Sequence, residues 1–152
     1  MLTEKDYCDY DTCVALKELG YNEKSNWWFS KFLNEDSGQM ELVHICDNPA
    51  HLNYDSWGIV PKDFVIRPSL YEAQKFLREE KDIHIEIYAC AGGYIYELCK
   101  AYKPNSFSGG TTIYTPNDVD NPKLNDAGRY DDFETCLSEG IKEAIKLLKE
   151  EK

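Results

Sequence analysis

The stretch from Pro68 to Tyr102 constrains the fold more than any other, because an amphipathic helix there runs directly into a β-hairpin. Ser69 is placed to cap the first free amides, and Glu72, three residues on, to reach back to the cap's own amide in a capping box. Pro68 cannot extend the helix backwards. Leu70, Ala73, Phe76 and Leu77 recur at helical spacing on one side, with Glu72, Lys75, Arg78 and Glu79 on the other, so one stripe must be buried. Asp82 and the β-rich run after it mark the stop.

A two-residue turn at Gly92 and Gly93 predicts Ala91 opposite Tyr94, Ala89 opposite Tyr96, Ile87 opposite Leu98 and Ile83 opposite Tyr102. These residues share one face, which the preceding helix is the nearest element to cover. The other face carries His84, Glu86, Tyr88, Glu97 and Cys99 and reads as largely solvent-facing.

The remainder supplies more of the same parts. Asp9 caps a helix over about 10–19, with Cys13 and Leu16 turned inward, and Gly20 followed by Tyr21 supplies its C-terminal signal. Two strands, roughly 26–33 and 39–46, are joined by a polar turn at 34–38, which makes a second hairpin. Residues 47–65 lose periodicity and read as an ordered loop holding Tyr54, Trp57 and Phe64. Residues 111–115 form one more strand. A last helix begins near Asp131 or Asp132 and carries the stripe Phe133, Leu137, Ile141, Ala144, Ile145 and Leu148. Gly140 inside it predicts a close approach to the sheet. Hairpins joined this way give a single α+β domain over 1–152: an antiparallel sheet with three helices packed mainly on one face.

Composition excludes more than it selects. A chain of 152 residues can bury an ordinary core without staples. Met-Leu-Thr-Glu-Lys-Asp at the start has neither a basic leader nor an apolar run, so a cytoplasmic location is expected and the six cysteines read as reduced thiols. No run is apolar enough to cross a membrane. Residues 1–60 carry eleven acids against four bases in a chain of net charge −11, a field that disfavours direct nucleic-acid binding.

Three segments resemble an uncharacterised family of small proteins abundant in gut Bacteroidetes and in their phages and mobile elements. The first is Tyr10 to Tyr21 (YDTCVALKELGY), similar to that family's opening helix closed by a Gly-aromatic pair. The second is Pro68 to Glu79 (PSLYEAQKFLRE) followed by Ile83-His84-Ile85, similar to its Pro-Ser/Thr-capped helix and Ile-His-Ile strand. The third is the aromatic-led helix from Tyr130 to Leu148. The resemblance implies a genomic setting and no activity, and the 47–65 loop departs from the family's shorter members.

Each candidate site stands beside a plainer reading. His44 and Cys46 share a strand face and His51 follows, a set that a remote Cys8 or Cys13 would have to complete before it could hold zinc. No Cys-x-x-Cys or His-x-x-x-His spacing supports it, and separate surface or core residues are the default. Cys99 or Cys90 near His84 would make a nucleophile with a base, but Glu86 and Glu97 on the same face oppose thiolate formation. Facing carboxylates such as Glu86 with Glu97 arise by chance in so acidic a chain. Gly92-Gly93 and Gly109-Gly110 lack the Lys or helix start of a phosphate cradle. Trp27, Trp28, Tyr54 and Trp57 are the best binding candidate, although adjacent tryptophans on a strand point to opposite faces and the loop can exist to cover one of them.

The expectation from sequence is thus a small non-enzymatic accessory protein that binds another protein, with no cofactor. Its alternatives are metal-assisted hydrolysis at His44, Cys46 and His51, and an acidic mimic of nucleic acid.

Overall fold

A computed structural model describes residues 2–23, 27–33, 40–44, 64–100, 111–116 and 121–150 of the chain. It is α+β, with three α-helices and six strands among those residues: α1 (Tyr10–Glu18), β1 (Trp27–Leu33), β2 (Met40–His44), β3 (Phe64–Ile66), α2 (Leu70–Lys81), β4 (His84–Cys90), β5 (Gly93–Lys100), β6 (Thr111–Tyr114) and α3 (Phe133–Glu150). A 3₁₀ turn, Glu4–Asp6, precedes them. The strands form two antiparallel sheets, β2-β1-β3 and β4-β5-β6. By contacts the chain divides into two compact units, residues 7–69 on the one hand and residues 1–6 with 70–152 on the other.

In the first unit α1 begins and ends as its residues dictate. The Asp9 carboxylate accepts the Thr12 amide at 2.9 Å, occupying one of the amides a helix start leaves free. At the other end Tyr21 N–H donates to the Leu16 carbonyl and Gly20 N–H to that of Lys17, the paired bonds of a Schellman close. Gly20 sits at φ +99°, where a side chain would be strained. Thr12, Cys13, Ala15 and Leu16 are buried, and α1 packs on β3. That strand was not anticipated: 64–66, read as the end of a loop, pairs antiparallel with β1 through Trp28 opposite Ile66 and Phe29 opposite Val65. Three residues are too few to show a period, so only the partner strand reveals them. Residues 47–63 of the expected loop lie outside the described residues.

Arg67 closes this unit. Its side chain is buried, its Nε donates to the Cys8 carbonyl at 2.8 Å, and its guanidinium lies 4.9 Å from the Phe29 ring centre and 5.5 Å from that of Tyr7. Aromatic faces and a carbonyl supply the negative potential a dry guanidinium needs.

In the second unit α3 lies on β4 and β5, and α2 packs against both α3 and β4. The α3 face that turns inward is Cys136, Leu137, Gly140, Ile141, Ala144 and Ile145. Gly140 is where the layers touch: a β-carbon there would sit 2.7 Å from Ile85 Cγ2 and 3.4 Å from the Tyr96 ring. The expected close approach is therefore real. Tyr96 stacks between Tyr114 and Tyr130, with ring centres 6.1 and 6.0 Å away, and burial pushes the Tyr130 phenol up to about 12.

The β4–β5 hairpin turns one residue earlier than its glycines suggest. Cys90 pairs with Gly93, Ala89 with Tyr94, Ile87 with Tyr96 and Ile85 with Leu98, so Ala91 and Gly92 make the turn. Gly93 belongs instead to β5, because a β-carbon on it would overlap the Tyr130 carbonyl oxygen. Tyr94 and Tyr130 exchange two backbone bonds of 2.9 Å at that point. Advancing the turn by one residue moves each cross-strand partner by two, so every side chain keeps its expected face.

Candidate functional site

Period-two alternation sends Ile83, Ile85, Tyr96 and Leu98 into the core and turns His84, Glu86, Tyr88, Glu97 and Cys99 to the other face. On that outer face His84 stands directly opposite Cys99, Glu86 opposite Glu97, and Tyr88 opposite Ile95. A register shift between Leu98 and Cys99 sets Tyr114 beside Leu98 and Thr112 beside Cys99, which carries the outer face on to β6.

The middle of this face is acidic, while at its turn end the Arg129 guanidinium meets Cys90. Glu86 and Glu97 oppose one another across the ladder, an arrangement that costs up to about 1 kcal/mol relative to a neutral pair. Thr112 Oγ1 donates to Glu97 Oε1, and Cys99 Sγ lies 3.6 Å from the same oxygen, so Glu97 is held in place. The charge of Glu97 is the main reason the Tyr88 phenol is pushed up, with some desolvation and the charge of Glu86 adding to it. Asp82 Oδ1 lies 3.6 Å from His84 Nε2 at the start of β4. Tyr88 itself is 47% exposed, a large aromatic standing in the open on the β4-β5-β6 sheet.

A Cys99 or Cys90 nucleophile with His84 as its base finds no support on this face. The Cys99 thiol is pushed up, first by burial and then by Glu97, although the Thr112 hydroxyl works the other way. A thiol held protonated is a poor nucleophile. Cys90 and His84 do share the face, but six strand positions at about 3.3 Å each set them about 20 Å apart. Cys90 Sγ instead accepts from Arg129 Nε at 2.9 Å. Cys8 and Cys136 are buried, and their thiols are pushed up, Cys136 to about 12 by burial and Cys8 by its contact with Cys13 together with burial.

The residues singled out from sequence fall as follows. Trp28 is 2% exposed and belongs to the core of its unit, so it offers a partner no surface. Trp27 is half-buried, edge-on to Tyr7 at 6.5 Å between ring centres, and its carbonyl accepts the Arg67 amide. Tyr54 and Trp57 lie outside the described residues. Of the zinc candidates, His44 ends β2 opposite Trp27, while Cys46 and His51 lie outside the described residues. Among the described residues no group of three or more His, Cys, Asp or Glu can hold a metal ion, and no helix is long and apolar enough to cross a membrane.

The feature that sequence reasoning passed over is Tyr88 with its carboxylates. The alternation placed all three on one face; their neighbourhood carried no further signal, because facing acids are common in an acidic chain. No family model, no curated protein and no solved structure matches this chain.

Proposed function

We propose that this chain is a non-enzymatic protein-binding module of the bacterial cytoplasm or of a mobile element, and that its contact surface is the outer face of β4–β5. The observation that carries the reading is Tyr88, 47% exposed beside the facing pair Glu86 and Glu97 on a sheet whose other face is packed. Tyrosine brings apolar area and a polar tip at little cost in side-chain entropy, and the two carboxylates on one side of it select a basic partner. The carboxylates contribute mainly to the rate of encounter and to specificity, so binding should weaken as salt rises.

The test is a capture experiment from bacterial lysate with the tagged chain, washed at low and then high salt, run beside chains carrying Tyr88→Ala and Glu86→Lys. A protein retained at low salt by the unsubstituted chain, and lost from both variants, supports the reading. Equal retention by all three overturns it, and about one zinc per chain in a partnerless sample would turn attention to His44, Cys46 and His51.

A further inference from the structure

The bonding pattern of β4 defines a second feature of the same platform. In an antiparallel ladder the N–H and C=O of a given residue point to the same side, and successive residues alternate. The Ile85 carbonyl accepts Gln74 Nε2 at 2.9 Å and therefore points away from β5, toward α2. Ile87 and Ala89 must point the same way, while Cys90, closing the turn against Gly93, points inward. On the β5 side the same rule holds, since Tyr94 turns its backbone groups outward to Tyr130. Helix α2 thus occupies the edge at Ile85, and among the described residues nothing pairs with the outward amides and carbonyls of Ile87 and Ala89.

An edge strand with free amides and carbonyls is a template for another strand. We propose that the edge of β4 at Ile87 and Ala89 receives an extended segment of a partner protein in which basic and apolar side chains alternate. This rests on reading the outer face as a binding surface and specifies how the partner is held. Side chains of an added strand that flank Glu86 and Tyr88 would lie over the acidic face and must be basic to complement it. Those that flank Ile87 and Ala89 lie on the opposite, apolar face and must be apolar. A second copy of this chain is a worse occupant, because pairing two β4 edges sets the acidic Glu86 strands of both copies side by side, each already facing its own Glu97.

The test uses the full chain and a fluorescently labelled peptide of alternating Lys and Val, with a Glu-Val peptide as control. Ala89→Pro removes an amide that points outward, so it blocks the edge without deleting a β4–β5 bond. The Lys-Val peptide is expected to bind the unsubstituted chain and to protect the Ile87 and Ala89 amides from hydrogen exchange. Ala89→Pro should weaken it about tenfold or more, and the Glu-Val peptide should not bind. Exchange protection on the unsubstituted chain decides the matter if Ala89→Pro fails to fold. Binding that survives Ala89→Pro, without amide protection but lost in Glu86→Lys, overturns the edge and leaves the face reading standing. Binding indifferent to both substitutions overturns both. Absence of Lys-Val binding, or a dimer of the free chain that Ala89→Pro dissociates, overturns the edge proposal.

Discussion

The two faces of one hairpin, β4–β5, have opposite fates although they are made by the same two strands. The inner face, with Ile85, Tyr96 and Leu98, is pressed so closely by α3 that only Gly140 fits at the contact. On the outer face, two residues apart in register, Glu86 opposes Glu97 and Tyr88 stands in the open. The inner face is governed by volume and the outer by charge. A rigid platform with one committed face leaves its other face free to vary without loss of the fold.

The largest test of that contrast is truncation on either side of a single peptide bond. Leu98 is fully buried and Leu98→Ala should cost about 2–5 kcal/mol in denaturant unfolding. Cys99→Ser, its neighbour on the outer face, should shift stability by no more than about 0.5 kcal/mol. Comparable losses at the two positions would mean that the outer face is packed as well.

A smaller effect sharpens the claim about volume. Gly140→Ala improves helix propensity by about 1 kcal/mol, yet its methyl group would overlap Ile85 Cγ2, and overpacking costs about 1–3 kcal/mol. Net destabilisation in thermal or denaturant melts is therefore expected. A stabilised variant would show that α3 can retreat from the sheet at no cost.

The smallest effect tests charge. Because the negative charge of Glu97 is the main cause that holds Tyr88 protonated above the ordinary tyrosine range, Glu97→Gln should let Tyr88 ionise at lower pH. Absorbance titration of the phenol, with Tyr88→Phe to identify its component, gives the shift and its sign. The two proposals above predict in addition that Glu86→Lys and Ala89→Pro weaken binding, and that Glu86→Lys, which relieves the repulsion from Glu97, melts no lower than the unsubstituted chain.

Much of this chain could be read directly from its residues. Asp9, Gly20 and Tyr21 announce both ends of α1 because capping bonds reach only three to five residues along the chain. The inner and outer faces of β4–β5 follow from alternation alone, and they survive a misplaced turn because parity is preserved. Gly140 announced its contact because a glycine in a helix has a propensity cost that packing must offset.

Tertiary structure decided what depends on distant partners. Gly93 looked like a turn residue and is a strand residue, because the backbone of Tyr130, far along the chain, occupies the space where its β-carbon would go. Strand β3 carries no period of its own and exists through its pairing with β1. Trp28 is in the core and Tyr88 is in the open, though both are large aromatics on strands, since burial depends on what other segments place over a side chain. The edge of β4 became visible only when Gln74 showed which way the Ile85 carbonyl points. Local geometry is written in neighbouring residues; which surfaces stay uncovered is settled by the chain as a whole.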